Sequence, residues 1–297
     1  MIKSWQDFSE GYRRISRGNI IEGTEEQVEE VLQKYAPWYD LLNVKMPLYR
    51  SVMVGTTLRP AYTYKIMDPK KFVRKPPTTE NYYNVIIDNS DNWKDYPKRS
   101  RSIMTHTLES KTKMYGNKVY RVIPLRENAK CAFVENDYWV AFQDLFDAWP
   151  FGRIESLNDF NKNLAGAFNL KSKNYTSDKL KQLLRSSNFN NKNLSIYKPD
   201  SVSEYKERIL EIEKKYGSFY DWIDMQMAPE KAEAIGLFNY NNIYHIEGTY
   251  NTEYLSLQDH NRSPFTALHG YEVWTDEKCL LVDDTILTQL WIKKKNS

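Results

Sequence analysis

The sequence predicts an α+β protein: a β-rich core supplied by both ends of the chain, N-terminal helices before it and a helical insertion inside it. Two observations predict this. Apolar residues recur at helical spacing early in the chain and again from about 156 to 238, while short runs of β-formers, broken by Pro and Asn clusters, fill the stretches after each. The boundaries that follow are 1–45 for the N-terminal helical segment, 46–150 with 240–297 for the β-rich core, and 151–239 for the insertion. At 297 residues the chain exceeds the usual single-domain size, which suits a core carrying a large insertion.

Thr24-Glu25-Glu26-Gln27 has the pattern of a capping box, in which the hydroxyl and the side-chain amide satisfy each other's backbone donors. Val28, Val31, Leu32 and Tyr35 then fall on one helix face, and Pro37 stops or bends the helix. Strand-like runs follow at Leu48 to Val54, Ala61 to Met67, Ser102 to Thr107, Lys118 to Leu125 and Cys131 to Val134. In the insertion, a short helix is expected from Ser177 to Ser186 within exposed loops. A second capping box at Ser201-Val202-Ser203-Glu204 opens a helix striped by Tyr205, Ile209, Ile212 and Tyr216, with Gly217 suited to its end. Strand character returns at Ile243 to Glu247, Tyr271 to Thr275, Lys278 to Val282 and Gln289 to Lys293.

Composition narrows the function. Lys and Arg number 42 against 39 Asp and Glu, without a block of five like charges, so a general nucleic-acid coat is not indicated. Cys131 and Cys279 lie in apolar strand patterns without a second cysteine or a histidine at metal-ligand spacing, which favours buried free thiols. His106, His245, His260 and His269 are scattered, and no metal is expected. No run reaches the about 18 apolar residues of a membrane span, and Met1 to Asp7 lack a signal-peptide core, so a cytoplasmic protein is expected. Dinucleotide and P-loop glycine motifs, the zinc-protease HExxH, the GxSxG elbow and EF-hand loops are all missing.

Three segments place polar residues where core packing does not require them. Arg50 lies between Leu48-Tyr49 and Ser51-Val52-Met53-Val54, where its planar fork could grip a phosphate or simply face solvent. Lys98-Arg99-Ser100-Arg101 leads into Ser102, Thr105, His106 and Thr107, whose hydroxyls could orient an arginine or a ribose or serve as ordinary strand formers. Glu272 starts a strand two residues after Gly270, a position open to catalysis or to a plain edge strand.

In this order Arg50, Thr105-His106-Thr107 and Glu272 resemble the Arg, Ser-Thr-Ser and Glu elements of ADP-ribosyltransferases. Asn81-Tyr82-Tyr83, Trp93, Tyr96 through Thr107 and Tyr115-Gly116 are similar to a segment of uncharacterised large-bacteriophage proteins. The resemblance implies a split mixed β-sheet that grips NAD as substrate and transfers ADP-ribose to a host protein or nucleic acid, or cleaves NAD, in the host cytoplasm. Arg50 would hold the NAD phosphate or ribose, with Thr105 and Thr107 orienting it. Glu272 would steady the oxocarbenium-like sugar as nicotinamide leaves. Tyr82, Tyr83, Ser102 and His106 would complete the cofactor contacts, with Tyr82 or Tyr83 stacking on nicotinamide.

The sequence departs from the family pattern at His106, which interrupts the hydroxyls, and at Gly270, where arginine-specific members carry Glu or Gln. The acceptor is then something other than arginine, or the site is inactive. Glu135 is a second candidate for the carboxylate. Two alternatives stand beside the transferase. One is a non-catalytic phage virion or host-interaction protein of the same fold. The other is a nucleic-acid-binding module using Lys98, Arg99 and Arg101 with Tyr82, Tyr83 and Trp93 as stacking groups.

Overall fold

A computed structural model describes residues 23–42, 47–54, 62–72, 82–94, 97–135, 157–168, 170, 177–185, 202–226, 228, 237–240 and 271–297. The chain divides into two compact units, one of residues 1–74, 96–137 and 238–297, the other of residues 75–95 and 138–237.

In the first unit the capping box forms as the sequence predicts. The Thr24 hydroxyl accepts from Gln27 N at 3.4 Å and the Gln27 side chain accepts from Thr24 N at 2.9 Å, opening helix α1, Glu25–Tyr35. The strands are β1 (Tyr49–Val52), β2 (Tyr64–Met67), β3 (Ile103–His106), β4 (Lys118–Pro124), β5 (Cys131–Glu135), β6 (Leu237–Tyr240), β7 (Tyr271–Thr275) and β8 (Cys279–Asp283). They form one sheet in the order β2-β8-β4-β1-β3-β7-β5-β6. The chain is therefore α+β.

Each pairing among β1 to β5, β7 and β8 is antiparallel, so these strands do not make the mixed sheet that the family resemblance implies. Both chain ends meet in this sheet because β8 lies between β2 and β4, and β7 between β3 and β5.

Two cores cover the two faces. On one, Val28, Leu32 and Ala36 from α1 and its end pack with Leu287 and Leu290 against Ile123, Leu280 and Val282. On the other, Leu48, Tyr120, Val122, Val273 and Leu281 close together, and Tyr62 stacks on Tyr120 with ring centroids 4.3 Å apart. The alternation of period two along β4 and β8 assigns neighbouring residues to the two cores.

The expected strand at Gln289 to Lys293 is instead part of a helix, here α8, Asp284–Asn296. Asp283 explains this locally, because its carboxylate accepts from Thr285 N at 3.0 Å and starts the helix. Leu287 and Leu290, three residues apart, then bury on the sheet while Lys293, Lys294 and Lys295 occupy the last turn. Short connections in this unit include helix α3, Glu109–Thr112, and a 3-10 turn, Lys113–Tyr115, before Gly116. The expected strand at Ile243 to Glu247 lies outside the described residues.

The second unit is helical, with α2 (Tyr82–Asn89), α4 (Leu157–Phe168), α5 (Ser177–Arg185), α6 (Val202–Tyr216) and α7 (Phe219–Gln226). It takes in residues 75–95, which the sequence boundaries place with the β-rich core. The reason is packing: α2 buries Tyr82, Tyr83, Ile86 and Ile87 and contacts α5. Gly217 ends α6 with φ at +87°, a left-handed conformation glycine adopts without a Cβ penalty. Asp224 ties this unit together, taking hydrogen bonds from the hydroxyl of Ser90 and from Asn92 Nδ2 at 3.1 Å.

Candidate functional site

Residues directly opposite one another in paired antiparallel strands point to the same face, and neighbours along a strand point to opposite faces. The register aligns Arg121 with Tyr49, Tyr49 with His106 and His106 with Glu272. These four side chains therefore share one face. Arg50 is the next residue along β1, pairs with Tyr120, and projects from the other face. The guanidinium and carboxylate expected to share an NAD cleft are thus separated by the sheet itself.

Each expected site residue has a structural partner. Arg50 Nη1 donates to Met104 O at 3.0 Å. Thr105 Oγ1 donates to Val273 O at 2.9 Å, and Thr107 Oγ1 accepts from Tyr271 N at 2.8 Å, so both threonines fasten β3 and its end to β7 instead of orienting Arg50. Ser102 Oγ donates to Lys98 O at 2.7 Å. His106 is buried, and its Nδ1 accepts from Leu108 N at 3.0 Å. Glu272 Oε1 accepts from Arg99 Nη1 at 2.6 Å, with the two side chains only 15% and 11% exposed. Arg99 also lies 5.1 Å over the Trp274 ring, whose Nε1 donates to Pro97 O at 3.1 Å.

The aromatic residues expected to stack on a ligand are part of the second unit's core: Tyr82 is 1% exposed, Tyr83 9% and Trp93 1%. No ring face is presented there to nicotinamide or to a nucleobase. Arg99, expected at a nucleic-acid phosphate, is committed to Glu272. The Glu135 side chain lies outside what is described; its backbone pairs with Tyr271.

Sequence reasoning missed the cluster around Arg121. Arg121 Nε and Nη2 donate to Asp284 Oδ1 at 3.0 and 2.7 Å, Nη1 reaches Tyr39 Oη at 3.5 Å, and the guanidinium lies 4.6 Å over the Tyr49 ring. Burial works against the charge, but Tyr39, Asp284 and Tyr49 outweigh it and raise the arginine's pKa. The same burial pushes up the phenols of Tyr39 and Tyr49.

Beside this cluster a cleft of about 230 Å³ opens between the residues after α1 and helix α8. Tyr49 and Arg121 line it together with Leu41, Leu42, Pro47, Leu287 and Trp291. Ligand pockets usually measure about 300–1,000 Å³, so this one suits a group smaller than a dinucleotide. The available signal was Arg121 in the apolar run of β4, matched to the acidic pair Asp283-Asp284 by long-range pairing.

Comparison with protein-family models, with curated proteins and with solved structures gives no match. Among the described residues, no group of three or more His, Cys, Asp or Glu is arranged to hold a metal ion. No helix among them is long and apolar enough to cross a membrane.

Proposed function

We propose that this chain is a non-catalytic interaction module, of the kind the phage resemblance implies for a virion or host-contacting protein. One observation carries this reading: Arg50 and Glu272 project from opposite faces of the sheet, each in a structural hydrogen bond. NAD cleavage needs the phosphate grip and the carboxylate on either side of one bound dinucleotide. The threonines that would orient Arg50 are spent on β7, and the tyrosines that would stack on nicotinamide are core residues.

The test is incubation of the full chain with NAD labelled in the nicotinamide ring, alongside a melting-temperature panel headed by NAD. The expected result is no nicotinamide release above background and no ligand-dependent rise in Tm. Turnover abolished by Glu272→Gln, with the melt otherwise intact, would restore the transferase reading.

A further inference from the structure

We infer that the cleft beside Arg121 is an anchor pocket for one aromatic side chain of a partner polypeptide, presented next to acidic residues. This rests on the non-catalytic reading and says where and what such a module would bind.

Size comes first. A cleft of about 230 Å³ is below the usual range for cofactors, and a single buried anchor side chain is how many protein interfaces concentrate their binding energy. The walls match that guest. Trp291, Leu41, Leu42 and Pro47 line it with apolar groups, while Tyr49, Thr288 and Arg121, the last held by Asp284, bring polar ones. Two large apolar side chains of the lining remain open: Leu42 is 45% exposed and Trp291 36%.

Charge then selects the partner. The last turn of α8 carries Lys293, Lys294 and Lys295. Lys294 pairs with Glu29 at 2.6 Å, whereas Lys293 reaches Glu26 only at 4.0 Å with both side chains largely in water. Lys295 lies 4.8 Å over the ring of Trp291, a residue of the cleft lining, and has no carboxylate within ion-pair distance among the described residues. An aromatic residue entering the cleft would bring a flanking carboxylate to that ammonium. A lipid surface fits less well, because the feature is a concavity with polar groups in its lining and not a convex apolar face.

The experiment labels the full chain with 5-fluorotryptophan, assigns the Trp291 resonance by Trp291→Phe, and titrates a five-residue peptide with a central phenylalanine between aspartates. The Trp291 signal is expected to shift saturably. Leu42→Asp should weaken binding at least tenfold, and Lys295→Glu should weaken it several-fold while removing most of its salt dependence. Leu42 and Lys295 are exposed, so unchanged melts keep these variants interpretable.

The same peptide with serine in place of phenylalanine, or with lysines in place of aspartates, should leave the signal still. An unmoved Trp291 resonance, an equal response to the serine peptide, or a shift given only by anionic phosphatidylglycerol vesicles overturns the inference. With no NAD turnover, such a failure removes the pocket assignment alone; NAD turnover removes the interaction reading whatever the peptide does.

Discussion

Glu272 and Arg99 form a 2.6 Å ion pair on the sheet face that also carries His106 and Trp274, and the guanidinium of Arg99 lies against the Trp274 ring. Because both side chains are largely withdrawn from water, neither can lose the other cheaply. The segment from Pro97 to Arg101 is held to β7 through this pair and through the Trp274 indole bond to Pro97.

Arg99→Met should therefore destabilise the protein by about 2–3 kcal/mol, since it leaves a half-desolvated carboxylate without its charged donor. Urea unfolding should show a lowered midpoint with an unchanged slope. A change under about 0.5 kcal/mol would mean that Glu272 is solvated and available for other work.

Much of the fold was legible where the signal was local. The capping box at Thr24 and the glycine end at Gly217 depend on residues within one turn, and both form. Gln289 to Lys293 misled because Leu290-Trp291-Ile292 is a short apolar run that suits a strand as well as a helix, while the residue that decides the matter, Asp283, lies six positions before Gln289. The site was less legible for a physical reason. Which face Arg50 takes relative to Glu272 depends on the pairing of β1 with β3 and of β3 with β7, and a shift of one residue in either would reverse it. Tyr82 and Tyr83 look like ligand-stacking residues in sequence, yet the helix they begin is packed on α5.

Asp276, in the turn between β7 and β8, gives a pH signature. Burial raises its carboxyl pKa, and Lys70 at 3.7 Å opposes this only in part. A raised folded pKa means that the fold prefers the protonated acid, so this residue's contribution to stability is lost as pH rises from the ordinary carboxylate value through the folded one. Asp276→Asn should then raise Tm at pH 7, by a gain of about 1 kcal/mol or less, and leave it unchanged at pH 3. An equal effect at both pH values would contradict the assignment.

Both thiols should be inert in the native protein. Burial pushes the Cys131 thiol up to about 12 and Cys279 well above its ordinary value, and the thiolate is the reactive form. A disulfide-exchange reagent at pH 8 is expected to modify neither in the folded chain and both in guanidinium. Stoichiometric labelling within minutes without denaturant would contradict the packing of this core.

Gly116 has no room for a side chain. A Cβ placed there would collide with the Val52 carbonyl carbon and sit 2.6 Å from Val52 N and 2.7 Å from Met53 N, all backbone atoms. Gly116→Ala should cost about 1–3 kcal/mol by forcing the end of β1 away from the turn before β4. Thr24→Ala, which removes only a cap, should cost about 1 kcal/mol, and urea titration of the two variants checks the order.

The most direct test of the arrangement is a pair of double-mutant cycles on stability, Arg99→Met with Glu272→Gln and Arg50→Met with Glu272→Gln. Arg50 and Glu272 stand two strand spacings apart, roughly 10 Å, and on opposite faces. The first cycle should give a coupling of at least about 1 kcal/mol and the second should be additive within about 0.5 kcal/mol. Strong coupling between Arg50 and Glu272, with none between Arg99 and Glu272, would contradict the account and put the guanidinium and the carboxylate back in one site.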